Sequence, residues 1–525
     1  MPRGYDQYDL PPPLLGVKQD DLELRIPLDY TRESFNMVSR RGKLEVRPGI
    51  VKVRATAPST SKVIGGITFK TMAGVAKTVA ATRTTWWSLG ASSWADLTDG
   101  VALTAGINDQ ARFQVFPSAG VNLLIGVNNV DTPKSWDGAA ATFLALAGSP
   151  PSTARDVTAV ANYVILGNVI EGGVRYTSRL RISAFNNPIS WSATSADVNG
   201  TEDDIVGIRR IGRAAFAIYK DYSVWTGVLQ AGTFPFAFDL ITEVSGPCSP
   251  SSIVTYDGGK HCYLGNDARL YVFDGLAVTP VSGQVDQSLV DDLKGLARVR
   301  SWGMYRRADR MVWFLFPFAS DDPDRGVSYH IDSGAVQFHN FGKKLTAGWR
   351  GDDIAALGWN DLATFTWANI AATYPTWESF GGKLLPIEYL GELDGQVYFF
   401  KDNADDDGTP ITVSWATPLQ AWAGEEKMHS FDAIESSFEQ VTGGPAILVQ
   451  IGTSAALAEP KDPTYITVGT HDTTLATRQL MKASATNRDS LVARLQNVRF
   501  SGSVQNKRLN YRGSELFLYD EEVGD

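Results

Sequence analysis

Apolar and polar positions along this chain change over in short bursts, and most bursts have the length and period of a β-strand. Arg112-Phe-Gln-Val-Phe, Asn122-Leu-Leu-Ile-Gly-Val, Tyr163-Val-Ile-Leu-Gly and Ala215-Phe-Ala-Ile-Tyr are of this kind. So are His261-Cys-Tyr-Leu-Gly, Leu270-Tyr-Val-Phe and Met311-Val-Trp-Phe-Leu-Phe. Each run is bounded by turn-forming residues, and strands at this density predict an all-β sandwich, barrel or propeller. One segment breaks the rule. Residues 287–300 carry Leu289, Val290, Leu293 and Leu296 at helical spacing, which predicts a helix there.

Two internal repeats sharpen the choice of fold. An apolar or aromatic residue followed by Asp-Gly occurs at Trp136-Asp137-Gly138, Tyr256-Asp257-Gly258, Phe273-Asp274-Gly275 and Leu393-Asp394-Gly395. Asp-Gly between apolar strands signals a hairpin with a type I′ turn. The four sites are either unrelated hairpins or turns of successive propeller blades, whose sheets have four antiparallel strands. Their irregular spacing excludes a regular WD40 or kelch array. The second repeat is Trp94-Ala-Asp96-Leu97, Trp359-Asn-Asp361-Leu362, Trp367-Ala-Asn369-Ile370 and Trp377-Glu-Ser379-Phe380. Its last three copies make residues 349–380 an aromatic-rich insertion, either a lid over the core or a segment packing on a neighbour.

The chain's 525 residues suggest about three domains or one large β-architecture with additions. The expected layout is an extended arm over residues 1–40, a β-propeller body over 41–400, and a smaller β-sandwich-like domain over 401–525. Aromatic residues make up 11% of the chain, which excludes a disordered protein. Only Cys248 and Cys262 are present, so there is no disulfide framework, and either a reducing compartment or indifference to redox state is expected. The start, Met1-Pro-Arg-Gly-Tyr-Asp, lacks the apolar core of a secretory signal. The most apolar stretch, Met311 to Phe318, is far short of the ~20 residues of a membrane helix. No membrane partner is expected. The net charge of −10 argues against a nucleic-acid binder, which would show a basic face.

Catalytic and metal readings find little support in the sequence. His261, His330, His339, His429 and His471 form no metal-ligand pair, and His330 and His339 flank a turn as hairpin neighbours. Asn403, Asp405, Asp407 and Gly408 match the start of a calcium loop, but Ser414 stands where the bidentate Glu belongs. A solvated turn is the expectation. The carboxylate pairs Asp203-Asp204, Asp291-Asp292, Asp321-Asp322 and Asp352-Asp353 are sequence neighbours, which point to opposite faces of a strand. They make poor acid–base pairs for a glycosidase. No catalytic residue, metal ligand or cofactor is expected.

Asn36-Met-Val-Ser-Arg40-Arg41-Gly42 with Arg47-Pro48-Gly49 resembles the opening of tail nozzle and hub proteins of short-tailed bacteriophages. Ile182-Ser-Ala-Phe-Asn-Asn187-Pro188-Ile-Ser-Trp191 is similar to one of their blade segments. Asn266-Asp-Ala-Arg-Leu-Tyr-Val-Phe-Asp274-Gly275 and Gly391-Glu-Leu-Asp-Gly395-Gln-Val-Tyr-Phe-Phe400 are similar to their blade strands. The resemblance spans about residues 30–400. It implies a propeller subunit of a ring of six below the portal-adaptor, extending the DNA channel, retaining packaged DNA and carrying fibre, spike or needle proteins. The location implied is the virion tail, after assembly in the host cytoplasm. DNA would pass without specific binding. An acidic wall would keep phosphates from sticking, so Asp203, Asp204, Asp321, Asp322, Asp405, Asp406 and Asp407 are the candidate channel-facing turns. The alternative is a propeller that binds or hydrolyses glycans.

Overall fold

Short turns join most of these strands to their sequence neighbours, so the chain folds hairpin by hairpin into small antiparallel sheets. The computed structural model describes residues 6–19, 26–40, 42–90, 92–118, 120–191, 194–232, 234–352, 386–402, 405–422, 428–440, 444–454, 463–474, 477–484, 491–493, 495–505 and 509–521. Five four-stranded sheets follow one another, running from Val63–Lys70 in the first to Val278–Pro280 in the fifth. A sixth is built from Trp302–Arg306, Met311–Phe316, Arg325–His330 and Val336–His339. The seventh takes Leu345–Asp352, Pro386–Glu392 and Val397–Lys401 and borrows its outer strand, Gly49–Lys52, from near the N-terminus.

These sheets are the blades of a seven-bladed β-propeller. The innermost strands are Val63–Lys70, Arg112–Ser118, Thr153–Val160, Ile205–Arg210, Ile253–Tyr256, Trp302–Arg306 and Leu345–Asp352. Each packs against the next, and the last packs against the first, which closes the ring. The borrowed strand makes closure a long-range event, because Val51 pairs with Phe399 across most of the sequence.

The rest of the chain forms a two-sheet sandwich. One sheet runs through Met37–Arg40, Lys43–Val46, Asn510–Glu521, Met428–Phe438 and Arg478–Lys482, with Asp6–Leu10 antiparallel to Asn510–Glu521. The other contains Thr464–Asp472, Ala446–Ser454, Leu495–Val504 and Thr409–Ala416. Between them lies a core of Met37, Leu44, Phe438, Leu516 and Trp415, the last stacked on Phe500 at 5.0 Å. The N-terminal segment is therefore extended and woven into the body, with residues 43–46 in the sandwich and the propeller starting at Gly49.

The two modules share a sheet. Thr409–Ala416 pairs with Glu33–Phe35, which pairs in parallel with the outer strand of blade 6 at Phe338. Beside this seam the Arg47 guanidinium is fully buried and all five of its N–H groups are engaged. Its Nε donates to Asn36 Oδ1 (2.9 Å) and its terminal nitrogens to Pro48 O, Asn340 O and both oxygens of Asp406. Phe341 lies beneath the guanidinium at 4.0 Å. Asn36, held at φ 59°, adds a bond to Thr412 O and accepts from Asn340 N. A second buried network ties Arg40 of the sandwich to Asp309 of blade 6 (2.7 Å), which also holds Arg306. Arg306 reaches Glu388 and Asp402 of blade 7.

Two local expectations change. The helix predicted over residues 287–300 is one α-helical segment, Asp286–Asp292, followed by a 3-10 turn, Gly295–Arg300. Leu293 is extended, the neighbouring Gly295 is a poor helix former, and Leu296 projects into solvent. The Asp-Gly turns are not type I′, because only their glycines take positive φ. Asp137 Oδ1 accepts from the amides of Ala139 and Ala140, and Asp274 Oδ1 from those of Leu276 and Ala277. The carboxylate caps its own turn. These two turns join strands three and four of blades 2 and 5, whereas the Asp257 and Asp394 turns join other strand pairs.

Removing one partner of a buried ion pair leaves an uncompensated charge, so Arg47→Met is expected to cost about 3–5 kcal/mol of stability. The double change Arg47→Met, Asp406→Asn should cost less than Arg47→Met alone. Equilibrium denaturant unfolding measures both, and a loss below about 1 kcal/mol for Arg47→Met contradicts this role.

Candidate functional site

The innermost strands converge on the propeller axis, where glycine lets adjacent blades approach. A Cβ on Gly66 would lie 2.4 Å from the Trp349 ring, and one on Gly348 2.1 Å from the Trp302 ring. At the centre, charge replaces apolar packing. Asp156 of blade 3 is fully buried and accepts from Arg112 Nε of blade 2 (3.3 Å) and from the Arg209 guanidinium of blade 4. Ile208 N donates to the second Asp156 oxygen at 2.9 Å. Arg209 also donates to Pro250 O, and Arg112 to Ser251 Oγ (3.3 Å), which ties blade 5 to the cluster. Burial, reinforced by the charge of Arg209, pulls Arg112 down to about 10.

Cavities lie to either side of this plug. One of about 300 Å³ is lined by Arg112, Arg209, Arg350, Tyr305, Trp349 and Ser251, among others. Another, of about 420 Å³, lies where the innermost strands end and is lined by Arg112, Arg209, Arg210, Arg213, Thr158 and Gln114, among others. A third, of about 260 Å³ at the strand-starting face, includes Arg155, Arg175, Asn168 and Asp204.

The seven candidate acidic positions do not form one face. Asp203 and Asp204 precede the innermost strand of blade 4, and Asp321 and Asp322 lie between the second and third strands of blade 6. Asp405–Asp406 is a short strand at the seam with the sandwich. Most are held by cations of the same chain. Asp203 pairs with the buried Lys220 (3.0 Å), Asp321 with Lys294, and Asp322 with Lys62 (2.6 Å). Asp406 pairs with Arg47 and Asp407 with Lys52 (2.9 Å). Asp405 is buried and accepts from Gly408 N, and Asp204 lines the third cavity. The expected solvated turn at residues 402–408 is thus corrected. Asp405 and Asp406 are buried, Asp406 against Arg47 and beside Ile50 of the closing strand, while Asp402 stays exposed. Ion pairs within the chain offset the charge of Asp203, Asp321, Asp322, Asp406 and Asp407.

The other candidates also stay apart. Asp292 pairs with Arg325, and Asp291 accepts from Gln287. His330 bonds Ser333, while His339 bonds Ser328 Oγ at 2.8 Å and packs tilted against Trp313. Among the described residues no group of three or more His, Cys, Asp or Glu is placed to hold a metal. Asn403, Asp353 and the tandem turns at Trp359, Trp367 and Trp377 lie outside the described residues. Sequence reasoning passed over the axial arginines. The available signal was Asp156 inside Thr153–Val160, a carboxylate in an otherwise buried strand, which demands a cation nearby.

No protein-family model matches this chain, and no curated protein matches it. Solved structures similar to it include the WD40 β-propeller domain of Doa1, at 9% identity and a TM-score of 0.39, covering 67% of this chain and 97% of that one.

Two buried histidines give the fold a pH dependence of defined sign. Burial holds His261 down to about 4, against Tyr219 and the Arg210 carbonyl. Burial and the Arg47 charge keep His339 well below the usual imidazole range. The unfolded chain takes up protons near the ordinary value of about 6.5, so it binds more protons than the folded chain between that value and the depressed ones. Stability is therefore lost as pH falls through that window and is unaffected by these groups above it. Thermal unfolding at pH 7 and pH 4.5 should show this loss, and a His261→Gln, His339→Gln double variant should show less of it. An unchanged slope in that variant contradicts the assignment.

Proposed function

We propose that this chain is a structural subunit of the tail of a short-tailed bacteriophage. In this reading its copies form a ring of six below the portal-adaptor, extend the DNA channel, help retain packaged DNA and carry fibre, spike or needle proteins. The role is structural and not catalytic, exercised in the virion after assembly in the host cytoplasm.

One observation carries the reading. The segment that resembles the opening of nozzle proteins, Asn36 to Gly49, is the one that locks propeller and sandwich together. Asn36 and Arg47 bind blade 6, the closing strand and the sandwich, and Arg40 binds Asp309. A ring that holds pressurised DNA and bears appendages needs subunits whose modules do not hinge, and two buried ionic networks across a shared sheet meet that need.

Mixing the purified chain with the portal-adaptor protein should give closed oligomers of six in native mass measurements. Images of intact virions should place the propeller in the tail below the portal. Particles that lack this chain, or hold it as isolated monomers, contradict the proposal.

A further inference from the structure

The axial shaft is cationic in a chain that is acidic overall. Two arginines, Arg112 and Arg209, share the single carboxylate of Asp156, which leaves an excess positive charge in a buried setting. The cavity at the strand-ending face adds Arg210 and Arg213, whose side chains are exposed. No Asp or Glu is among the described residues lining that cavity, nor among those lining the 300 Å³ cavity beyond the plug. Arg112 of blade 2 and Arg209, Arg210 and Arg213 of blade 4 thus line one space of about 420 Å³.

Holding like charges together is costly unless an anion joins them. The planar fork of arginine matches the oxygens of phosphate in a bidentate manner. Thr158 and Thr255, also on the lining, supply hydroxyl donors for further oxygens. The cavity is too small for a duplex, whose major groove alone is ~12 Å wide, and suits a short polyphosphate group.

We propose that the strand-ending mouth of the propeller axis is a binding site for a small polyphosphate-bearing anion, held by Arg112, Arg209, Arg210 and Arg213. Arg112 and Arg209 are fixed by Asp156 and form the floor. Arg210, the last residue of the first strand of blade 4, and Arg213, on the turn after it, stand at the rim. Burial and Arg209 already draw Arg112 down to about 10, and a bound anion relieves that strain on its charge. The site does not depend on the tail assignment.

The test uses inorganic tripolyphosphate as the probe, with the full-length chain in phosphate-free buffer at constant ionic strength. Calorimetric titration should give saturable binding with one site per chain, and the thermal midpoint should rise with tripolyphosphate but not with sodium chloride at equal ionic strength. Arg210 and Arg213 are both exposed, at the end of the first strand of blade 4 and on the turn after it, so Arg210→Gln and Arg213→Gln keep the fold. Each should weaken binding about tenfold, since a charge-assisted hydrogen bond contributes roughly that factor. Lys482→Gln on the sandwich should leave binding unchanged. A short single-stranded oligonucleotide in a parallel titration distinguishes sources: binding only as a nucleic-acid phosphate, with none for tripolyphosphate, overturns the proposal. So does tripolyphosphate binding that is equal in wild type and in the Arg210→Gln, Arg213→Gln double variant.

Discussion

Arg47 is the residue on which the architecture turns. A guanidinium has five N–H groups, and burying it is tolerable only if all are satisfied and its charge is matched. Here Asn36, Pro48, Asn340 and Asp406 do both. Those four partners come from the sandwich entrance, the closing strand of blade 7, the exit of blade 6 and the start of the C-terminal module. Satisfying one side chain therefore requires that the propeller be closed and the sandwich docked together. The fold cannot make this set of bonds piecemeal.

The apolar packing follows the same joint. Val38 from the sandwich side and Ile50 from the closing strand share a core with Trp302, Trp313, Phe341, Tyr398 and Phe400 of blades 6 and 7. The Arg40, Asp309 and Arg306 network lies across the same boundary. Elsewhere the blades depend on their neighbours alone, through innermost strands in contact around the axis. The joint between propeller and sandwich is thus long-range in sequence and ionic, whereas six of the blade-to-blade contacts join blades that follow one another along the chain. The axial plug of Arg112, Asp156 and Arg209 is a second ionic centre, but it ties blades 2 to 5 and leaves the joint untouched.

What could be read from sequence was what is local. Apolar bursts such as Met311–Phe316 became strands because period and length suffice to specify them, and their density specified an all-β sandwich, barrel or propeller. The blade count was not legible, because the seventh blade takes Gly49–Lys52 as its outer strand from hundreds of residues away. The turn type failed for a physical reason. Asp137 and Asp274 cap backbone amides with their side chains, a bond that composition alone does not distinguish from a type I′ hairpin. The ion pairs of the acidic turns were not legible because the partners are distant in sequence: Asp406 meets Arg47 and Asp322 meets Lys62. A carboxylate run looks solvated until the fold delivers its cation.

The central claim is that propeller and sandwich form one mechanical body, as the shared sheet and the buried Arg47 and Arg40 networks imply. Differential scanning calorimetry of the full-length chain tests this most directly. One cooperative transition, with calorimetric and van't Hoff enthalpies in agreement, is the predicted result. Two separated transitions, one for the propeller and one for the sandwich, would contradict it.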